Sequence, residues 1–105
     1  MPLMPEEGLK RYSPEEILQK IQYEIPQWKY EDGYICREID TKNWKETVML
    51  FNAIAYLAES LWHHPDVELG FKRLKIKLMT HDAKAITDKD FNLAKLIERL
   101  ISLSF

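Results

Sequence analysis

The chain has 105 residues, enough for one domain of ordinary size around a single core and too few for two. Its 46% hydrophobic and 30% charged residues place it among soluble globular sequences rather than disordered ones. Fifteen basic against 17 acidic side chains leave a formal charge of −2, so no broad positive field gathers polyanions and nucleic acid is not an expected partner.

Residues 1–12 read as a flexible N-terminal tail, with residues 13–105 forming the domain. The tail carries two prolines near a Glu-Glu pair and lacks a basic region followed by an apolar stretch, so no secretory leader is expected. No segment approaches the roughly 20 apolar residues of a membrane span, which argues against a membrane partner. Cys36 is the one cysteine, which excludes an internal disulfide framework and a Cys-rich zinc site and fits a reducing compartment. It sits in an apolar-alternating run, where a thiol packs as a small hydrophobe rather than acting as a nucleophile. The expected location is the cytoplasm.

After the tail, Ser13-Pro14-Glu15-Glu16 offers an N-cap hydroxyl, a proline at the first helical position and a glutamate placed to complete a capping box. A short helix should run to about Tyr23, closed by Pro26. Trp28 to Tyr30 and Tyr34 to Ile39 then face each other across Glu31-Asp32-Gly33, a hairpin with glycine supplying positive φ. Asp40 or Thr41 can cap the next helix, in which Trp44, Val48, Phe51, Ala55, Ala58 and Trp62 recur at helical spacing. A second row, Leu50, Ile54, Leu57 and Leu61, widens the apolar face beyond what one small sheet needs, so this helix should meet both the sheet and a partner subunit. Pro65 disfavours helical geometry at His64, which ends the helix near Trp62 and leaves His63 and His64 at its exit.

Val67, Leu69 and Phe71 alternate, as do Leu74, Ile76 and Leu78, so a second hairpin should turn at Lys72-Arg73. Thr80-His81-Asp82 ends the last strand. Thr87 to Asp90 repeats the pattern of a hydroxyl cap with a carboxylate three residues on, opening a final helix that turns Leu93, Ala94, Ile97, Leu100 and Ile101 inward. The order implies an α+β, two-layer sandwich: a four-stranded antiparallel sheet with three helices on one face.

Histidine is the side chain whose unperturbed pKa, about 6.5, lets it both give and take protons near neutrality. This chain has three, all near element ends. Glu59 lies one helical turn before His63 and can reach its imidazole to fix the tautomer. Adjacent histidines at a helix exit do not present the i, i+4 geometry of a helical zinc pair, so a metal site completed by His81 is the minority reading. The plainer readings are that His81 satisfies a loop carbonyl and that Trp62 finishes the core.

Glu59, His63-His64-Pro65, Phe71, Thr80-His81-Asp82 and Asp90 stand together in a long spaced pattern: a glutamate, three residues, His-His-Pro, an aromatic six positions past the proline, a Thr-His-Asp step and a later aspartate. In this the chain resembles the pterin-4a-carbinolamine dehydratase family, over roughly Ser13 to Leu103. The resemblance implies a hydro-lyase, 4a-hydroxytetrahydrobiopterin dehydratase, that converts 4a-hydroxytetrahydropterin to quinonoid dihydropterin and water in tetrahydropterin recycling. It implies His63 and His81 as acid-base groups, His64 as an orienting residue that can share proton transfer, and Thr80 and Asp82 as part of the pterin site; Glu59 and Trp62 are expected as further substrate contacts. No metal and no cofactor are implied, the pterin being the substrate. The implied partners are further copies of the chain, as a homodimer or homotetramer, and a functional link to an aromatic amino acid hydroxylase. The alternative is a non-catalytic pterin-binding, assembly or dimerisation cofactor on the same fold.

Two positions depart from the family pattern. Trp62 stands before the histidine pair where Asp or Asn is common, and Ala83-Lys84-Ala85 replaces a Gly-rich step before the last helix.

Overall fold

The computed structural model describes residues 9–104. Its elements are α1 (Pro14–Glu24), β1 (Lys29–Glu31), β2 (Tyr34–Asp40), α2 (Trp44–Leu61), β3 (Asp66–Gly70), β4 (Arg73–Leu78) and α3 (Asp88–Ser104). The strands form a four-stranded antiparallel sheet in the order β1-β2-β4-β3. With three helices against it, this is the α+β architecture the element order implies.

Of the tail expected over 1–12, residues 1–8 lie outside the described residues. Lys10 to Tyr12 are tied to the body: Lys10 pairs with Glu16 at 2.8 Å, Arg11 Nε donates to the Ala83 carbonyl at 3.0 Å, and the Tyr12 N–H donates to Ile86 at 3.0 Å. The Tyr12 ring meets Phe91 edge-on, and its hydroxyl donates to Asp88 in the first turn of α3 at 2.5 Å. Burial, followed by that hydrogen bond, pushes the Tyr12 phenol up to about 12.

The start of α1 is the predicted capping box. Ser13 Oγ accepts from the Glu16 N–H, and Glu16 Oε1 accepts from the Ser13 N–H at 2.9 Å, satisfying two otherwise orphaned donors. The first hairpin turns on two residues, Asp32 (φ 50°) and Gly33 (φ 83°), with Glu31 paired to Tyr34 as the last rung rather than part of the loop. Two successive positive φ angles match the right-handed twist of the strands, and Asp-Gly is suited to them.

The cap of α2 is Asn43, not Asp40 or Thr41. Asp40 stays in β2 opposite Arg73, and the Thr41 N–H donates across to Lys72, so neither is free to close a helix. Asn43 Oδ1 takes the Glu46 N–H at 2.8 Å instead. The second hairpin is also displaced by one residue: Phe71-Lys72 form the turn and Gly70 pairs with Arg73. This register keeps Val67 opposite Ile76 and Leu69 opposite Leu74, and a one-residue slip would send those side chains to the other face.

β4 turns Leu74, Ile76 and Leu78 toward the helices, each fully buried, with Ile35 and Ile39 beside them. Ile54, Phe91, Leu93 and Ile97 close the core from α2 and α3. Burial of each such side chain stabilises the fold by about 1.5–3 kcal/mol before entropy is counted. The inward row of α2 is Thr47, Leu50, Ile54 and Ala58, so the Trp44 to Trp62 row flanks the core instead of centring on it. Trp44, Met49 and Tyr56 are left largely exposed.

Arg37 sits opposite Ile76, on the helix side of the sheet, where a lone cation would be costly. Glu98 of α3 meets it at 2.6 Å and also accepts from the Trp28 indole N–H at 2.8 Å. Cys36 lies on the opposite face between Lys29 and Lys77, buried as expected, and desolvation raises its thiol, with Glu31 adding to the effect.

Candidate active site

The site is made where α2 ends. The Trp62 N–H donates to the Glu59 carbonyl at 3.1 Å and the His63 N–H to the Ala58 carbonyl at 3.0 Å, the paired bonds of a Schellman stop. Trp62 itself is left-handed, with φ 54° and ψ 44°. This reversal sends the two following side chains in different directions. His63 turns into the body and is 9% exposed, whereas His64 stays outside.

His63 Nε2 lies 2.6 Å from Asp90 Oδ1, and Asp90 is fully buried. The other carboxylate oxygen, Oδ2, accepts from the Thr87 N–H and from the Thr80 hydroxyl, both at 2.9 Å. Thr80 and Thr87 hydroxyls are 2.7 Å apart, and Thr87 Oγ1 also accepts from the Lys89 N–H. Because the Thr80 hydroxyl donates to Asp90, the Thr87 hydroxyl is the donor to Thr80. The first turn of α3 is thus the expected hydroxyl-and-carboxylate cap, with one carboxylate oxygen left over for the histidine. That oxygen accepts a hydrogen bond from Nε2–H, which leaves Nδ1 as the lone-pair nitrogen of neutral His63.

Glu59 does not reach His63. Its carboxylate lies 2.8 Å from His64 Nε2, because the left-handed step at Trp62 breaks the i, i+4 relation and returns the next histidine toward the helix. The His64 ring also meets the Trp62 indole edge-on at 5.1 Å. His81 stands at the start of a tight loop in which Thr80 and Ala85 bridge. It is more than half exposed, 3.6 Å from the Asp66 carboxylate, with Tyr34 edge-on to its ring.

One cleft of about 180 Å³ gathers Trp62, His63, His64, Thr80, His81 and Asp82 around Met79. All three histidines therefore share a wall, together with three of the four predicted substrate contacts. Glu59 is not among the lining residues and stands behind His64. Thr80 contributes wall rather than a free hydroxyl, since its Oγ1 is engaged by Asp90 and Thr87. Phe71 is distant: it occupies the hairpin turn at the far end of β4, roughly 20 Å away at about 3.3 Å per strand residue. Asp90 had no assigned role beyond its place in the spaced pattern. Its spacing from Thr87 marks a helix cap, and nothing in that spacing tells which residue takes the second oxygen.

A larger groove of about 400 Å³ runs between α2 and α3, lined by Leu61, Asn92, Lys95, Leu96 and Arg99 with His63 and Lys89 at one end. It holds one histidine out of three, so the smaller cleft is where proton chemistry can be done. Among the described residues no three or more His, Cys, Asp or Glu side chains are gathered as metal ligands, and no helix is long and apolar enough to cross a membrane.

The family model for pterin 4 alpha carbinolamine dehydratase matches residues 10–100. A protein of Aquifex aeolicus carrying the provisional name pterin-4-alpha-carbinolamine dehydratase is 45% identical over 93 residues, 89% of this chain and 93% of its own. Proteins with the same provisional name from Christiangramia forsetii and Chloroflexus aurantiacus are 37% and 33% identical, again over 89% of this chain and 95% and 99% of theirs. The crystal structure of a transcriptional coactivator/pterin dehydratase from Brucella melitensis shares the fold, with a TM-score of 0.79 at 23% identity over 86% of this chain and 97% of that one. This chain belongs to the pterin-4a-carbinolamine dehydratase family.

Proposed function

We propose that the protein dehydrates 4a-hydroxytetrahydropterin to quinonoid dihydropterin and water by histidine acid-base catalysis. The observation that carries this reading is the convergence of His63, His64 and His81 on one cleft, with His63 held by the buried Asp90. The reaction breaks the bond from C4a to its hydroxyl and removes a proton from the neighbouring ring nitrogen, whose electron pair forms the new carbon–nitrogen double bond. Expelled hydroxide takes up a proton and leaves as water.

His63 suits the base role, since its Nε2–H is committed to Asp90 and Nδ1 is the nitrogen able to take a proton. His81, open to water and beside Asp66, suits delivery of a proton to the departing hydroxyl and reloading from solvent. His64, braced by Glu59 and Trp62, orients the ring, and Asp82 supplies a polar rim. The step requires no metal, nucleotide or covalent intermediate. Its proposed substrate is the carbinolamine left when an aromatic amino acid hydroxylase turns over, and its proposed role is tetrahydropterin recycling in the cytoplasm. The exposed Trp44, Met49 and Tyr56 of α2 support self-association as a dimer or tetramer.

Stopped-flow absorbance of 4a-hydroxytetrahydropterin near neutral pH tests the reading. Decay should accelerate over buffer with the protein and return to the buffer rate with the His63→Ala/His81→Ala double variant. A folded wild-type protein without acceleration would overturn it in favour of a non-catalytic binding or assembly role.

A further inference from the structure

Among the described residues four have a positive φ: Asp32, Gly33, Trp62 and Lys84. Asp32 and Gly33 are residue types that take up a tight turn readily, and Lys84 is an exposed loop residue. Trp62 is the exception, because a bulky side chain crowds its own backbone in the left-handed region. The Schellman stop that it closes works best with glycine or asparagine. Helix termination therefore does not call for tryptophan here.

Core packing does not call for it either, since Trp62 is 56% exposed. Among the described residues its ring contact is with His64, itself exposed. What the strained backbone achieves is placement: Trp62 lines the histidine cleft together with His63, His64 and the Thr80–Asp82 step. Retained strain of this kind concentrates where a side chain serves a ligand.

We infer that Trp62 is a specificity-determining residue that stacks on the conjugated 2-amino-4-oxopyrimidine half of the substrate's bicyclic ring, and that its left-handed backbone is the stability given up for that contact. The inference rests on the dehydratase reading and deepens it. It makes the ligand class a bicyclic pterin held through the face of its conjugated half, with hydrogen-bonding groups left to the polar rim of the cleft. An indole face gains more from that conjugated half than from a saturated or acyclic group.

The test pairs stability with steady-state kinetics in Trp62→Asn, Trp62→Gly and Trp62→Tyr. The asparagine and glycine variants should melt a few degrees higher than wild type while KM rises about tenfold and kcat changes less than about threefold. Trp62→Tyr, which keeps an aromatic face, should hold KM within about threefold. Direct titration with 2-amino-4-oxopteridine should show the same order of affinities without turnover. Unchanged KM and pteridine affinity in Trp62→Asn, with normal turnover, would overturn the stacking role and leave the dehydratase reading intact. A lower melting temperature in both Trp62→Asn and Trp62→Gly would overturn it as well, because the indole would then be retained for packing. Wild-type protein that neither accelerates dehydration nor binds the pteridine overturns both readings together.

Discussion

The two sides of the histidine cleft are built in opposite ways. On one side His63, Asp90, Thr80 and Thr87 are buried and joined in a chain of hydrogen bonds, and among the described residues no buried polar side-chain atom is left without a partner. On the other, His64 and His81 are more than half exposed, each beside one exposed carboxylate. The difference teaches a division of labour. On the dehydratase reading proposed above, orientation is fixed where water is excluded, and proton exchange with solvent is kept where the histidines are exposed.

The largest effect should come from breaking the buried side. Asp90→Asn keeps the volume but can present an N–H where the histidine needs an acceptor, so turnover should fall about 10²-fold or more. Asp90→Ala should in addition lower unfolding free energy by about 2–3 kcal/mol, because the Thr80 hydroxyl and the Thr87 N–H lose their acceptor. Stopped-flow rates and urea titration measure the two. Wild-type turnover in Asp90→Asn would show that the pairing does not set the histidine for chemistry.

The exposed side should respond differently. His81→Ala should slow turnover about 10²-fold while shifting stability by less than about 0.5 kcal/mol, and added imidazole should restore part of the rate. His64→Ala should cost less than either catalytic substitution. His63→Ala should resist rescue by imidazole, and equal rescue at the two positions would erase the contrast between the sides.

The smallest effect lies at the edge of the buried side. Tyr12 donates to Asp88 two residues before Asp90, and its phenol is raised to about 12 from the ordinary 10.0. A folded-state value above the unfolded one means that this contribution is complete below pH 10 and is lost as pH rises toward about 12. The urea midpoint of the wild type should therefore fall across that window more than that of Tyr12→Phe, and parallel curves would contradict the linkage.

Much of this was readable in the chain because local chemistry and tertiary structure agree. Ser13 with Glu16, Asp32-Gly33, and Thr87 with Asp90 each serve as the cap or turn that their spacing predicts. The errors fall where a neighbour decides. Asn43 caps α2 because β4 holds Asp40 and the hairpin turn holds Thr41. Phe71 leaves β3 because the pairing of Val67 and Leu69 fixes the register. Glu59 finds His64 because one left-handed residue lies between them, and spacing arithmetic assumes an uninterrupted helix. The histidines were found through residue type and pattern. The dry and wet sides of their cleft follow from a turn that residue type argues against, since tryptophan is an unusual choice for it.

The double duty of Asp90 reaches into the history of such sequences. One oxygen closes the first turn of α3 and the other sets a histidine, so a mutation there is removed by selection on folding even in a lineage with no use for turnover. Descendants that have given up the proposed reaction for another task should keep the aspartate, and with it the His63 imidazole in the same orientation. Across relatives, loss of His81, which the fold does not need, is therefore the better sign of a retired enzyme than persistence of the His63 and Asp90 pair is of an active one.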